Sequence, residues 1–93
     1  MYILGDIGNT ETKLWYVSKN NKIIKKITFL SKSINNNHLN YLFKKNKFKP
    51  NKVEKILFCS VVPNTFKKIK KFLSKKTKVK CYEVKNLNLK SLI

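Results

Sequence analysis

The stretch Tyr2-Ile3-Leu4-Gly5-Asp6-Ile7-Gly8-Asn9-Thr10 constrains this chain more than any other. It is a short apolar run carrying one aspartate, followed by a Gly-Asn-Thr turn and a second β-rich run from Thr12 to Val17. The pattern predicts a strand, a tight turn and a returning strand, with Asp6 at the tip of the first strand. Gly8 and Asn9 tolerate positive φ, so such a turn can fold its N–H groups inward as an anion-binding nest. Thr10 adds a hydroxyl and Lys13 a positive charge. A carboxylate able to hold Mg²⁺, beside amides and a lysine able to hold phosphate, is the chemistry a nucleoside triphosphate requires. An ordinary hairpin with a surface aspartate is the competing reading, because short motifs recur by chance.

The remaining elements follow from periodicity and punctuation. Lys22–Phe29 reads as a third strand, reached through a Lys19-Asn20-Asn21 turn. Asn35-Asn36-Asn37 can cap a helix whose inner face carries Leu39, Leu42 and Phe43. Lys47 to Asn51, with Pro50, ends that helix and leads into a strand over Lys55–Ser60. Pro63 suits the first turn of a helix running to about Lys76. Phe66, Ile69, Phe72 and Leu73 fall on one side of it, with Lys67, Lys68, Lys70, Lys71, Lys75 and Lys76 on the other as a solvated face. Val79–Val84 alternates as a fifth strand. The tail from Lys85 to Ile93 carries Leu87, Leu89, Leu92 and Ile93 without a cap, breaker or partner element. It is expected to be loosely packed or to await a covering element.

Charge is the other extreme feature. The chain has a formal net charge of +18, with 22 basic residues against Asp6, Glu11, Glu54 and Glu83. Every basic residue is lysine. Arginine supplies the planar fork used for phosphate and base-edge recognition, so its absence argues against specific nucleic-acid readout. The aromatics Trp15, Tyr16 and Phe29 occur at strand spacing, where core packing explains them better than base stacking. Contact with nucleic acid is expected to be nonspecific and salt-sensitive. Asp6 interrupts any signal-like N-terminal core, and the longest apolar stretch, Ile56 to Val62, is too short to span a bilayer. Cys59 and Cys81 lack metal-ligand spacing and read as buried, reduced thiols, which points to a cytoplasmic protein. His38 lies at an Asn-rich helix start and reads as a surface or capping residue.

Asp6-Ile7-Gly8-Asn9-Thr10 followed by Lys13 resembles the first phosphate motif of the type III pantothenate kinases, within the superfamily of actin-like, sugar-kinase-like and Hsp70-like ATPases. Cys59-Ser60-Val61-Val62-Pro63, after Ile56-Leu57-Phe58, resembles that family's Ser-Val-Val-Pro strand-to-helix junction. The two motifs stand in the family's order, and the resemblance covers essentially the whole chain. It implies an α/β fold of the actin-like ATPase (ribonuclease H-like) type. The expected core is a mixed five-stranded sheet in the order βββαβαβ with flanking helices, incomplete at its C-terminus.

What the resemblance implies about function is specific. The family's reaction transfers the γ-phosphoryl group of ATP to pantothenate, the first step of coenzyme A synthesis. It uses Mg²⁺ and a monovalent cation, K⁺ or NH₄⁺, and is carried out by a homodimer. By position, Asp6 would orient the metal–triphosphate, Gly8, Asn9 and Thr10 would cradle phosphate oxygens, and Lys13 would offset their charge. Ile7, Glu11 and Thr12 fall within the same ATP-binding span. The family's base is an aspartate in a Gly-x-Asp-Arg loop beyond the last strand seen here, and a second phosphate motif, Asp-x-Gly-Thr, lies further on. This chain has Asp6 as its one aspartate and has no arginine. Residues 1–93 are therefore expected to be the N-terminal ATPase-type domain of a truncated or split kinase, without the second domain and without a catalytic residue of their own. A non-catalytic nucleotide-binding module of the same fold is the alternative, and a basic nucleic-acid-binding domain a third.

Overall fold

The computed structural model describes residues 1–59 and 62–84. Ser60 and Val61 of the second motif, and the Lys85–Ile93 tail, lie outside the described residues. Five strands, β1 (Tyr2–Ile7), β2 (Glu11–Val17), β3 (Ile23–Leu30), β4 (Lys55–Cys59) and β5 (Cys81–Glu83), form one sheet. Two helices, α1 (Asn36–Lys45) and α2 (Pro63–Thr77), complete the order βββαβαβ that the periodicity predicted. Across the sheet the strands run β3-β2-β1-β4-β5. The first three are antiparallel neighbours, while β4 lies parallel to β1 and β5 parallel to β4. The sheet is therefore mixed: a local hairpin meander on one side and a strand–helix–strand crossover on the other.

The element ends have local causes. In the β2–β3 turn, Asn21 takes a left-handed φ of 61°, and its N–H donates to the Ser18 carbonyl at 2.9 Å. Asn35 caps α1, its Oδ1 accepting the His38 N–H at 2.8 Å. Pro63 stands in the first turn of α2, and Lys78 closes that helix in the left-handed region at φ 59°. The fifth strand is shorter than the predicted Val79–Val84. The Val79 N–H donates to Thr77 Oγ1 at 3.0 Å, so this residue completes the helix end and the ladder begins at Cys81. β1 instead runs one residue past Asp6, because Ile7 still pairs with Thr12.

Alternation sorts the strands into two faces. Ile3, Gly5, Ile7, Thr12, Leu14, Tyr16, Ile27, Phe29, Ile56, Phe58 and Cys81 share one face, and all are buried. Both helices bury their apolar sides there: Leu39 and Phe43 from α1, and Ile69, Phe72 and Leu73 from α2. Phe43 links the layers, stacking on Phe72 at 5.4 Å and lying near parallel to Tyr16 at 6.2 Å. The opposite face carries Tyr2, Leu4, Asp6, Lys13, Trp15, Leu57 and Tyr82. Trp15 is half-buried there, with the Lys26 ammonium 5.9 Å from its ring.

Candidate functional site

The topology nominates one edge of this sheet. From β1 the chain turns to one side, into β2, and from β4 it turns to the other, through α2 into β5. The carboxyl ends of these adjacent parallel strands form a topological switch point, where open α/β sheets bind their ligands. Both sequence motifs reach it: Asp6 to Thr10 as β1 ends, Cys59 as β4 ends and Pro63 as α2 begins. Asp6 is in register with Lys13 on one side and with Cys59 on the other.

Asp6 and Lys13 are both half-buried on the face away from the helices. Directly opposed antiparallel residues bring their Cβ atoms to about 4.5–5.5 Å, so a carboxylate and an ammonium flank one patch of surface. The ion pairs among the described residues both involve Glu54, with Lys19 at 3.0 Å and the N-terminal ammonium at 3.9 Å. Neither engages Asp6 or Lys13.

The tip of the hairpin departs from expectation. Neither Gly8 nor Asn9 adopts positive φ; the left-handed residues among those described are Asn21, Lys47 and Lys78. The nest predicted from left-handed Gly8 and Asn9 is therefore not formed. Instead, the Gly8 N–H donates to the Glu11 carbonyl at 2.9 Å and closes the hairpin loop. Gly8 has little room for a side chain, since a Cβ there would stand 3.0 Å from the Glu11 carbonyl oxygen, a tight contact. Asn9, Thr10 and Glu11 form the exposed tip.

Ile7 and Thr12 occupy the core face, at 1% and 0% exposure, so their side chains point away from the Asp6–Lys13 patch. Thr12 is a clasp. Its Oγ1 meets Ser31 Oγ at 2.8 Å, and Ser31 Oγ donates to the Gly8 carbonyl at 2.7 Å. With the Ser31 proton given to Gly8, Thr12 is the donor of the first bond. The Ser31 N–H also donates to the Thr10 carbonyl at 2.9 Å. Ser31 thus pins both sides of the loop from just beyond β3. Sequence reasoning missed it, because a lone serine after a strand carries no signal until the three-stranded register brings it beside Thr12.

The second motif contributes backbone. Val62 precedes α2 without a side-chain cap, so the first-turn amides carry the positive end of the helix without a side-chain acceptor. Among the described residues, no group of three or more His, Cys, Asp or Glu could hold a metal. A site of one carboxylate does not suit a metal bound by protein alone. It does suit Mg²⁺, which keeps several waters and takes one or two carboxylates together with substrate phosphates. Cys59 and Cys81 are buried, and burial raises the Cys81 thiol pKa, which keeps it protonated and unreactive.

Comparison with known proteins agrees over the full length. A family model for type III pantothenate kinase matches residues 2–93. A curated type III pantothenate kinase from Pelagibacter ubique (strain HTCC1062) is 48% identical over 93 residues, which is 100% of this chain and 38% of that protein. The chain thus spans less than half the length of this relative.

Proposed function

The chain belongs to the type III pantothenate kinase family, and from that premise we propose that residues 1–93 form the nucleotide-holding ATPase-type domain of a kinase that phosphorylates pantothenate. The sheet is read as the actin-like, ribonuclease H-like core, supported by its mixed pairing and by both motifs ending at one switch point. The observation that carries the reading is the register of Asp6 against Lys13 at that edge, over a loop held rigid by Ser31 and Thr12.

Asp6 would orient Mg²⁺–ATP through its carboxylate, and Lys13 would balance phosphate charge. The exposed Asn9-Thr10-Glu11 tip would approach the phosphate oxygens. Gly8, Ile7 and Thr12 would act through the loop's shape, since the Gly8 amide and the Thr12 hydroxyl are already engaged. A bound metal would supply neutralisation of phosphate charge beside the Asp6 carboxylate. No described residue is assigned to the monovalent cation, whose use rests on family membership alone. Asp6 is the one aspartate of the chain, so the base that accepts the pantothenate hydroxyl proton is assigned to sequence outside these 93 residues. The activity is read as cytoplasmic and dimeric in the assembled enzyme. Among the described residues no helix is long and apolar enough to cross a membrane.

The test contrasts Asp6→Asn with Lys67→Gln in ATP titrations with and without Mg²⁺ at moderate salt. Asp6→Asn raises net charge and would favour nonspecific anion binding, yet it is expected to weaken Mg²⁺-dependent ATP binding. Lys67 lies exposed on the outer side of α2, and its loss is expected to reduce only the salt-sensitive background. Equal Mg²⁺–ATP affinity in Asp6→Asn and the parent would sink the assignment.

A further inference from the structure

Acidic residues are scarce in this chain and unevenly placed. Of Asp6, Glu11, Glu54 and Glu83, the first two fall on the β1–β2 hairpin, at the switch-point edge of the sheet. Glu54 is engaged by Lys19 at 3.0 Å and by the N-terminal ammonium at 3.9 Å. Neither of these ion pairs among the described residues includes Asp6 or Glu11.

Register decides where the Glu11 carboxylate stands. Thr12 is fully buried on the core face, so alternation turns Glu11 and Lys13 to the opposite face, the one that carries Asp6. Lys13 is directly opposed to Asp6, so its ammonium already has a carboxylate across from it. Glu11 has no such neighbour. Leu30 opposes it on β3, and on the β1 side it meets Gly8, which has no side chain and whose N–H donates to the Glu11 carbonyl at 2.9 Å. The same loop is pinned by Ser31 through the Gly8 and Thr10 carbonyls, so the backbone that carries Glu11 is fixed while its side chain is exposed. Between them, β1 and β2 place two carboxylates and one ammonium on this end of the outer face, a local negative excess in a chain of +18.

We propose that Glu11 is a specificity-determining residue, which makes the hairpin discriminate against metal-free polyphosphate and in favour of its Mg²⁺ complex. The inference rests on the reading of Asp6 to Lys13 as the nucleotide loop. On a lysine-rich surface any polyanion binds nonspecifically, so a loop meant for Mg²⁺–ATP needs something that disfavours bare phosphate. A like charge does this by negative design. Mg²⁺ cancels part of the triphosphate charge, so the Glu11 carboxylate repels metal-free ATP more strongly than the complex. Mg²⁺ also keeps several waters when it binds beside phosphates, and a carboxylate at the loop tip can accept hydrogen bonds from them. Charge is what Glu11 contributes, since its exposed side chain has no part in the core.

The experiment is a calorimetric titration of the 93-residue chain with ATP at about 0.1 M salt, once in Mg²⁺ and once in EDTA. The readout is the ratio of the metal-free to the Mg²⁺ dissociation constant. Glu11→Gln is expected to lower that ratio about three- to tenfold, chiefly by tightening metal-free binding, the worth of one like charge close to the phosphates in water. Glu11→Asp keeps the charge and is expected to hold the ratio within about twofold of the parent. Glu83→Gln makes the same change in net charge on β5, three strands from β2 and about 14 Å across the sheet, beyond the Debye length of about 10 Å. It is expected to move the ratio by less than about twofold. An equal fall in Glu11→Gln and Glu83→Gln would overturn the proposal in favour of a net-charge effect. So would an unchanged ratio in Glu11→Gln while Asp6→Asn loses Mg²⁺-dependent binding, a result that leaves the nucleotide loop standing. Mg²⁺–ATP affinity unchanged in Asp6→Asn would instead remove the loop reading, and this role for Glu11 with it.

Discussion

Gly5 pairs with Phe58 across the parallel β1–β4 register, and a methyl group added at Gly5 would overlap the Phe58 ring. That ring cannot retreat, being fully buried and packed edge-on against Phe66 of α2 at 5.5 Å. Gly5→Ala is therefore expected to cost about 1–3 kcal/mol by overpacking. Gly5→Ala combined with Phe58→Leu should lose less than the sum of the two single losses in denaturant unfolding. Strict additivity would show that the close approach is not why glycine is there. Nothing in the linear sequence distinguishes Gly5 from a strand-weakening glycine, because its constraint exists only once β4 lies beside β1. Asp6 and Lys13 were readable, since hairpin spacing alone makes them neighbours. The facing of Thr12 was not: its inward turn follows from Ile7, Leu14 and Tyr16 claiming the same side.

Among the elements, the β1–β2 loop owes its shape to a residue outside it. Ser31→Ala would leave the buried Thr12 hydroxyl and the Gly8 carbonyl without their partner, an expected loss of about 1–3 kcal/mol. Amide exchange should accelerate over residues 8–12, and Mg²⁺–ATP binding should weaken with it. Asn35→Ala, which removes the α1 cap, is expected to cost about 1 kcal/mol without changing exchange in that loop. If the two variants have the same exchange pattern, Ser31 is acting only through global stability. The order βββαβαβ was readable because each element carries its own period and stop signal, with Pro63 opening α2 and the asparagines serving α1 and the second turn. The mixed character of the sheet came from the family resemblance; periodicity could not say which strands are neighbours, with β4 beside β1 and β5 beside β4, nor that Thr77 caps the helix end and shortens β5.

For the molecule as a whole, +18 of net charge meets little internal compensation, since both ion pairs among the described residues draw on Glu54. The Lys19 partnership lowers the Glu54 pKa, but both side chains are exposed and the pair cannot anchor the fold. The lysine surface repels itself over distances that salt screens, with a Debye length of about 10 Å at 0.1 M. The unfolding midpoint is expected to rise with ionic strength; a midpoint insensitive to salt would show that self-repulsion is not a significant term. Leu30 and Tyr82, at 56% and 50% exposure, add apolar surface on the face away from the helices. Association is expected to involve that face, and to increase as salt screens the repulsion between copies. On the proposed reading, a triphosphate over Asp6 would bring phosphate and metal together, but transfer to an alcohol also needs a base and an acceptor pocket. The relative that matches all of this chain is matched over only 38% of its own length. The isolated 93-residue chain is thus expected to make no 4′-phosphopantothenate above background, even where it binds Mg²⁺–ATP. Adding a separately expressed C-terminal portion of the Pelagibacter relative should restore turnover if the two halves dock, and Asp6→Asn should abolish that restored activity. Product formed by the purified chain alone would mean that a residue of these 93 serves as base, and the division of labour argued from the lone aspartate would be wrong.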